Sequence, residues 1–195
     1  MDTNILRQRI LELAFRGELL GEHKSGEALP VLDDEVPFAI PSTWVWRKLG
    51  DIGMWQCGIT PSRSHPEYYG GNIPWLKTGD LCDGYVYESA EHLTAKALQE
   101  TSSKLMPADS VVMAMYGSTL GKLGILTFPA ATNQACCTCS HLKGVSAQYL
   151  FYYLLSRRAY FLNRAGGEQQ INISKEIIIT TFIPVPPRWE QTRLV

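Results

Sequence analysis

Five segments of this 195-residue chain carry small hydroxyl, amide and basic side chains among glycines, the mix needed to grip a polyanion and to read hydrogen-bonding edges. They are residues 58–64 (GITPSRS), with Thr60, Ser62 and Arg63, and residues 74–80 (PWLKTGD), with Lys77, Thr78 and Gly79. Then come residues 116–122 (YGSTLGK), with Tyr116, Ser118, Thr119 and Lys122, and residues 131–134 (ATNQ), with Asn133 and Gln134. Residues 166–172 (GGEQQIN) complete the set, with Gln169 and Gln170. In duplex DNA, Lys, Ser/Thr and backbone amides hold phosphates, whereas Gln, Asn, Arg and Lys pair with base edges. By type, Lys77 and Lys122 suit phosphates, and Gln169 or Gln170 suits a base edge. Each segment also has an ordinary reading. Gly58 and Thr60-Pro61 make a turn, lone loop lysines are solvated charges, and Asn133-Gln134 caps backbone groups. Tyr68, Tyr69 and Trp75 fit core or turn packing better than base stacking.

Catalytic constellations are missing by type and spacing. A DNA adenine methyltransferase needs an Asn/Asp-Pro-Pro-aromatic loop to hold the flipped base, but Pro186-Pro187 stands between Val185 and Arg188. A nuclease groups carboxylates with a lysine around Mg²⁺, whereas the acids here are scattered or gathered near residue 30. Residues 117–122 (GSTLGK) have the composition of a phosphate loop without its four-residue spacing or the Ser/Thr after Lys. Cys136, Cys137, Cys139 and His141 are ligand types for zinc. On a strand, however, Cys136 faces away from the other three, so buried reduced thiols are the expectation.

These loops need elements to position them. Leu6, Ile10 and Leu13 recur at helical spacing, which predicts a short amphipathic helix capped by Asp2, Thr3 or Asn4 and stopped by Gly17. Its narrow apolar seam demands a partner helix, in this chain or another. Residues 21–41, acidic and with Pro30, Pro37 and Pro41, read as a linker. Beyond Trp44, β-like runs at 52–57, 111–115, 123–127, 135–142 and 177–185 alternate with turn residues. One helix interrupts them at about 147–165, with Ser146 as cap and Gly166-Gly167 as stop. The predicted class is α+β: an irregular, mostly β domain with one packed helix near 147–165 and a short N-terminal amphipathic helix.

Composition bounds the partners. With 18 Lys+Arg against 19 Asp+Glu, the net charge of -1 excludes a nonspecific nucleic-acid binder of strongly basic type. The signs segregate: residues 21–37 hold five acids and one base, and residues 143–175 five bases and one acid. Five cysteines and no signal-peptide or membrane-span stretch lead to an expectation of a cytoplasmic protein with reduced thiols.

Taken in order, seven segments resemble the target-recognition domain of Type I restriction-modification specificity subunits. They are residues 44–53 (WVWRKLGDIG), 58–61 (GITP), 69–81 (YGGNIPWLKTGDL), 117–124 (GSTLGKLG), 131–137 (ATNQACC), 166–173 (GGEQQINI) and 183–195 (IPVPPRWEQTRLV). Residues 6–19 (LRQRILELAFRGEL) are similar to a helical segment of the same family. The resemblance implies an N-terminal helix (1–20), a linker (21–41), a DNA target-recognition domain (42–187) and the opening of a spacer helix (188–195). The expectation is a fragment, or a half-length subunit that pairs with a second copy or a second recognition domain. It further implies sequence-specific binding of double-stranded DNA in the major groove, with no cofactor in this chain. Adenine methylation with S-adenosylmethionine belongs to partner methyltransferase subunits, and ATP- and Mg-dependent work to a restriction subunit. Two rival readings remain: an assembly scaffold that does not read DNA, and a fragment of a methyltransferase or nuclease.

Overall fold

In a computed structural model, the structure describes residues 3–21, 36–166 and 171–195. Asp2, most of the acidic linker, and Gly167, Glu168, Gln169 and Gln170 lie outside the described residues.

The N-terminal helix forms as α1 (Thr3–Arg16). Gly17 ends it at φ 77°, a left-handed conformation that costs glycine nothing. The Gly17 N–H bonds to the Ala14 carbonyl at 3.1 Å and the Glu18 N–H to the Leu13 carbonyl at 2.9 Å, a Schellman pair that satisfies two orphan carbonyls. The face that docks is Leu11, Ala14 and Phe15. Phe15 packs edge-on against Tyr149 and Tyr153, with ring centroids 5.2 and 5.1 Å away. Leu6 and Ile10 of the predicted seam stay exposed. They line an apolar groove with Leu19, Tyr152, Leu194 and Val195.

The central five-stranded sheet is built from β2 (Met54–Cys57), β4 (Gly84–Val86), β6 (Val111–Ala114), β7 (Leu123–Leu126) and β9 (Cys136–Ser140). Its order is β2-β9-β6-β7-β4. The sequence runs VVMA, LGIL and CCTCS are buried at every position, because both faces are covered. Val111, Met113, Leu123, Ile125, Cys137 and Cys139 pack into the core that holds the helices. Val112, Ala114, Leu126 and Cys136 face the opposite cluster with Leu76, Leu81 and Met106. Two smaller sheets flank this one. The first is β1 (Val45–Lys48) paired with β10 (Phe182–Val185), and the second is β5 (Glu91–Leu93), β3 (Tyr69–Leu76) and β8 (Ala131–Thr132), in that order. A short α2 (Ala95–Glu100) closes against β3.

Two predicted elements are corrected. The single helix at 147–165 is two, α3 (Ala147–Ser156) and α4 (Arg158–Arg164), broken at Arg157 (φ −93°, ψ 5°). The Ser156 hydroxyl bonds back to the Tyr153 carbonyl at 2.6 Å, a competition that bends helices, and the change of direction buries Phe161 completely. The run at 177–185 is not one strand: α5 (Lys175–Thr180) precedes β10. The Ser174 hydroxyl accepts the Ile177 N–H at 3.2 Å, and the Thr181 hydroxyl bonds to the Ile177 carbonyl at 2.7 Å, so local caps and burial of Ile178 override β-propensity. The chain finishes in α6 (Arg188–Leu194). The architecture is α+β with irregular sheets.

Ser146 caps α3 as read from the sequence, accepting the Tyr149 N–H at 3.1 Å. Ser146→Ala will lower stability by about 1 kcal/mol in urea denaturation. A loss indistinguishable from zero would mean that water replaces the cap.

Candidate nucleic-acid interface

Strand register collects the sequence-predicted loops at one end of the central sheet. β2 runs to Cys57 opposite Cys137 at the start of β9, β6 ends at Ala114 opposite Cys136, and β7 begins at Leu123 opposite Met113. Loops 58–64, 115–122 and 133–135 therefore emerge together. β3 ends at Leu76 beside Thr132 of β8, and the Asn133 N–H bonds to the Leu76 carbonyl at 2.9 Å, which adds loop 77–80. The Met115 N–H reaches the Ala135 carbonyl at 2.8 Å and the Gly117 N–H the Ile171 carbonyl at 2.9 Å. A bridge between Tyr116 and Asn172 completes the described part of the fifth segment.

Within this cluster the side chains divide into two groups. Thr60, Ser62, Arg63, Gly79, Ser118, Lys122 and Gln134 are exposed, while Lys77, Thr78, Tyr116, Thr119 and Asn133 are partly buried. Some polar atoms are used by the loops themselves. The Thr119 hydroxyl bonds to the Tyr116 carbonyl at 3.1 Å, and the Asn133 side-chain oxygen accepts the Ala135 N–H at 3.2 Å. The Thr60 hydroxyl donates to the Gln134 side-chain oxygen and ties two loops together. Trp75 and Tyr68 are buried, as the packing reading required. The Trp75 indole N–H reaches the Ile59 carbonyl at 3.2 Å, so a core residue fixes the root of the 58–64 loop.

Charge is organised around a residue that the sequence did not single out. Glu91 on β5 accepts from Arg63 at 2.7 Å and from Lys77. Hydrogen bonds from Lys77 first and Arg63 second hold its carboxyl below the usual range. Arg63 also lies over the Tyr69 ring, 4.1 Å from its centroid. The arrangement presents two cations at one point, pre-aimed by an aromatic face and an internal carboxylate. Arg158 was likewise missed: it donates to the Gly121 carbonyl at 2.9 Å and pairs with Asp83, bracing the 116–122 loop from behind. The only signal for it was the basic excess of residues 143–175. Among the described residues, no group of three or more His, Cys, Asp or Glu is placed to hold a metal ion. His141, in a left-handed turn with φ 51°, bonds to the Ser140 hydroxyl at 3.0 Å.

Donor-rich loops are thus gathered at one end of the central sheet. A family model described as the Type I restriction modification DNA specificity domain matches residues 41–195, and the chain belongs to that family. Among curated relatives, the Type I restriction enzyme EcoR124I/EcoR124II specificity subunit of Escherichia coli is 31% identical over 156 residues, covering 77% of this chain and 39% of the relative. The MjaIX specificity subunit of Methanocaldococcus jannaschii is 30% identical over 160 residues, covering 80% of this chain and 37% of the relative. The chain thus spans well under half the length of either. In solved structures, the HsdS subunit from Thermoanaerobacter tengcongensis shares the fold at a TM-score of 0.68 and 18% identity, covering 99% of this chain and 41% of that one. The S subunit from M. genitalium aligns at 0.52 and 15%, covering 78% and 35%. The curated relatives are named as specificity subunits of Type I restriction enzymes.

Proposed function

We propose that this chain reads a specific sequence in double-stranded DNA, as the target-recognition part of a Type I specificity subunit, and so directs adenine methylation and restriction by partner subunits. The observation that carries this reading is the convergence of the amide-, hydroxyl- and lysine-bearing loops on one sheet end in a chain whose residues 41–195 match the family. The near-neutral net charge of -1 fits a reader that depends on few placed cations rather than on bulk attraction. Lys122 and Lys77 take phosphates, Gln169 or Gln170 takes a base edge, and Thr60, Ser62, Arg63 and Gln134 line the approach. A second copy or second recognition domain reads the other half of a split target. Methyltransferase and restriction subunits bring S-adenosylmethionine, ATP and Mg²⁺, and the complex works in the cytoplasm.

Binding selection from a randomised duplex library tests the reading, with the chain alone and then with its methyltransferase partner. A short fixed motif is the expected result; no enrichment in either format, with near-zero affinity at low salt, would favour a scaffold. The division of roles has its own test. Lys122→Ala should weaken binding to all sequences alike and flatten the salt dependence, whereas Gln169→Ala or Gln170→Ala should cost about 1–3 kcal/mol mainly on the preferred target. Equal losses on every sequence from both kinds of change would sink it.

A further inference from the structure

Two of the five cysteines face each other across an edge of the central sheet. Cys57, the last residue of β2, is the register partner of Cys137 on the antiparallel β9. The neighbouring Gly58 N–H bonds to the Cys136 carbonyl at 3.2 Å. The ladder bond thus falls at residues 58 and 136, which leaves Cys57 and Cys137 as a non-hydrogen-bonded pair. In such a pair the Cα atoms lie about 4.5 Å apart, within the roughly 4.4–6.8 Å that a disulfide spans. Both side chains also leave the same face of the sheet. All five cysteines are free thiols.

The two thiols differ in the ways that a nucleophile and its resolving partner differ. Cys57 is exposed and Cys137 is fully buried. The neighbouring Cys137 thiol draws the Cys57 thiol down to about 7 against the pull of partial burial, with help from the Lys175 cation. The same contact, followed by burial, holds the Cys137 thiol far above its ordinary range. Exposed low-pKa thiols beside a second thiol are the ones that oxidise reversibly. The other exposed cysteine, Cys82, bonds instead to the Tyr85 carbonyl, 3.4 Å away.

We propose that Cys57 and Cys137 form a peroxide-sensitive thiol pair that closes into a cross-strand disulfide at the root of the 58–64 loop. The Cys57 thiolate attacks one oxygen of hydrogen peroxide, the O–O bond breaks, and the departing hydroxide takes up a proton as water, leaving a sulfenic acid. The Cys137 sulfur then attacks the Cys57 sulfur. The S–O bond breaks, and the second hydroxide leaves as water with the Cys137 proton. Two thiols are oxidised to one disulfide, and the peroxide is reduced to two waters. The new bond locks β2, an edge strand, to β9 one residue before the turn that opens the candidate interface.

The test uses the whole reduced chain treated with stoichiometric hydrogen peroxide, followed by thiol titration and non-reducing peptide mapping. The expected result is loss of two of the five thiols, with a peptide pair joining Cys57 to Cys137 that dithiothreitol separates. Cys82→Ser should lose two thiols as the parent does, and Cys57→Ser should lose none at the same dose. Conversion of Cys57 to a sulfinic acid without a cross-link would overturn the proposal. So would a Cys57→Ser chain oxidised as fast as the parent, or disulfides found only between chains. The readout involves no DNA, so it stands or falls apart from the recognition function.

Discussion

Gly58→Ala is expected to cost about 3 kcal/mol, the upper end for an overpacked site, and to abolish selection of a DNA motif. A Cβ at this position would sit 1.9 Å from the Thr132 carbonyl oxygen and 2.3 Å from its carbon. Those are backbone atoms of a buried strand, so no flexible side chain is available to yield. The Thr132 carbonyl also accepts the Ile59 N–H at 3.0 Å, and one residue further on Thr60 bonds to Gln134. Backing the chain away from Thr132 breaks the first bond and misplaces the second, so the loss reaches the candidate interface directly. For a chain of this size the melting temperature should fall by about 6–12 °C. Gly79→Ala is the control for stability, because a Cβ there meets nothing within 4 Å and its effect should stay within about 0.5 kcal/mol. A Gly58→Ala chain that melts with the parent would show that the two backbones do not approach as described.

Gly58 also marks the boundary of what the sequence disclosed. A turn glycine was legible there, but the close approach to Thr132 was not, because it depends on a strand more than seventy residues away. Signals carried by neighbours in sequence were dependable. The Ser146 cap, the Gly17 stop and the apolar runs of β6, β7 and β9 all follow from side chains within a few positions of one another. The alternation that set Cys136 apart from Cys137 and Cys139 was equally local, and they do enter different cores. β3 (Tyr69–Leu76) was not among the predicted runs, because Gly70, Gly71 and Pro74 are residues that weaken a strand pattern. Pro74 fits because β8 pairs only with Trp75 and Leu76, so no neighbouring strand on that side asks for its missing N–H. Residues 177–180 are β-branched yet helical: the Ser174 cap is local, but the packing that buries Ile178 comes from β2 and residues 49–51, far away in the chain. The candidate site follows the same rule. Its loops were legible by composition, whereas the role of Glu91 was not, because its partners Arg63 and Lys77 stand on two other loops.

Gln191→Ala should be about as costly as Gly58→Ala, for the opposite reason: it empties a site instead of overfilling it. Gln191 is 1% exposed, and its amide makes three hydrogen bonds that join separate stretches of chain. Its nitrogen donates to the Gly144 carbonyl at 2.7 Å and to the Pro186 carbonyl at 3.0 Å, and its oxygen accepts the Ser146 N–H at 3.1 Å. One residue on α6 thereby fastens the turn before α3, the Ser146 cap residue and the end of β10 to one another. Truncation leaves the Pro186 carbonyl, in a buried bond, and the Gly144 carbonyl and Ser146 N–H, in part-buried ones, without their partner. Each such group costs about 1–3 kcal/mol when stranded, and relaxation recovers part of it, so a loss of about 3 kcal/mol is expected. Gln191→Glu discriminates the mechanism, because a carboxylate keeps the acceptor for Ser146 but offers no donor to Gly144 and Pro186; it should be no better tolerated than alanine. Exposed Thr192, whose hydroxyl bonds within its own helix to the Arg188 carbonyl at 3.2 Å, should tolerate alanine to within about 0.5 kcal/mol. Urea denaturation of the three variants measures the difference. If Gln191→Ala proves as mild as Thr192→Ala, α6 is not held by this amide. If it is as severe as expected, α6 is fastened to the rest of the fold by hydrogen bonds that reach the start of α3.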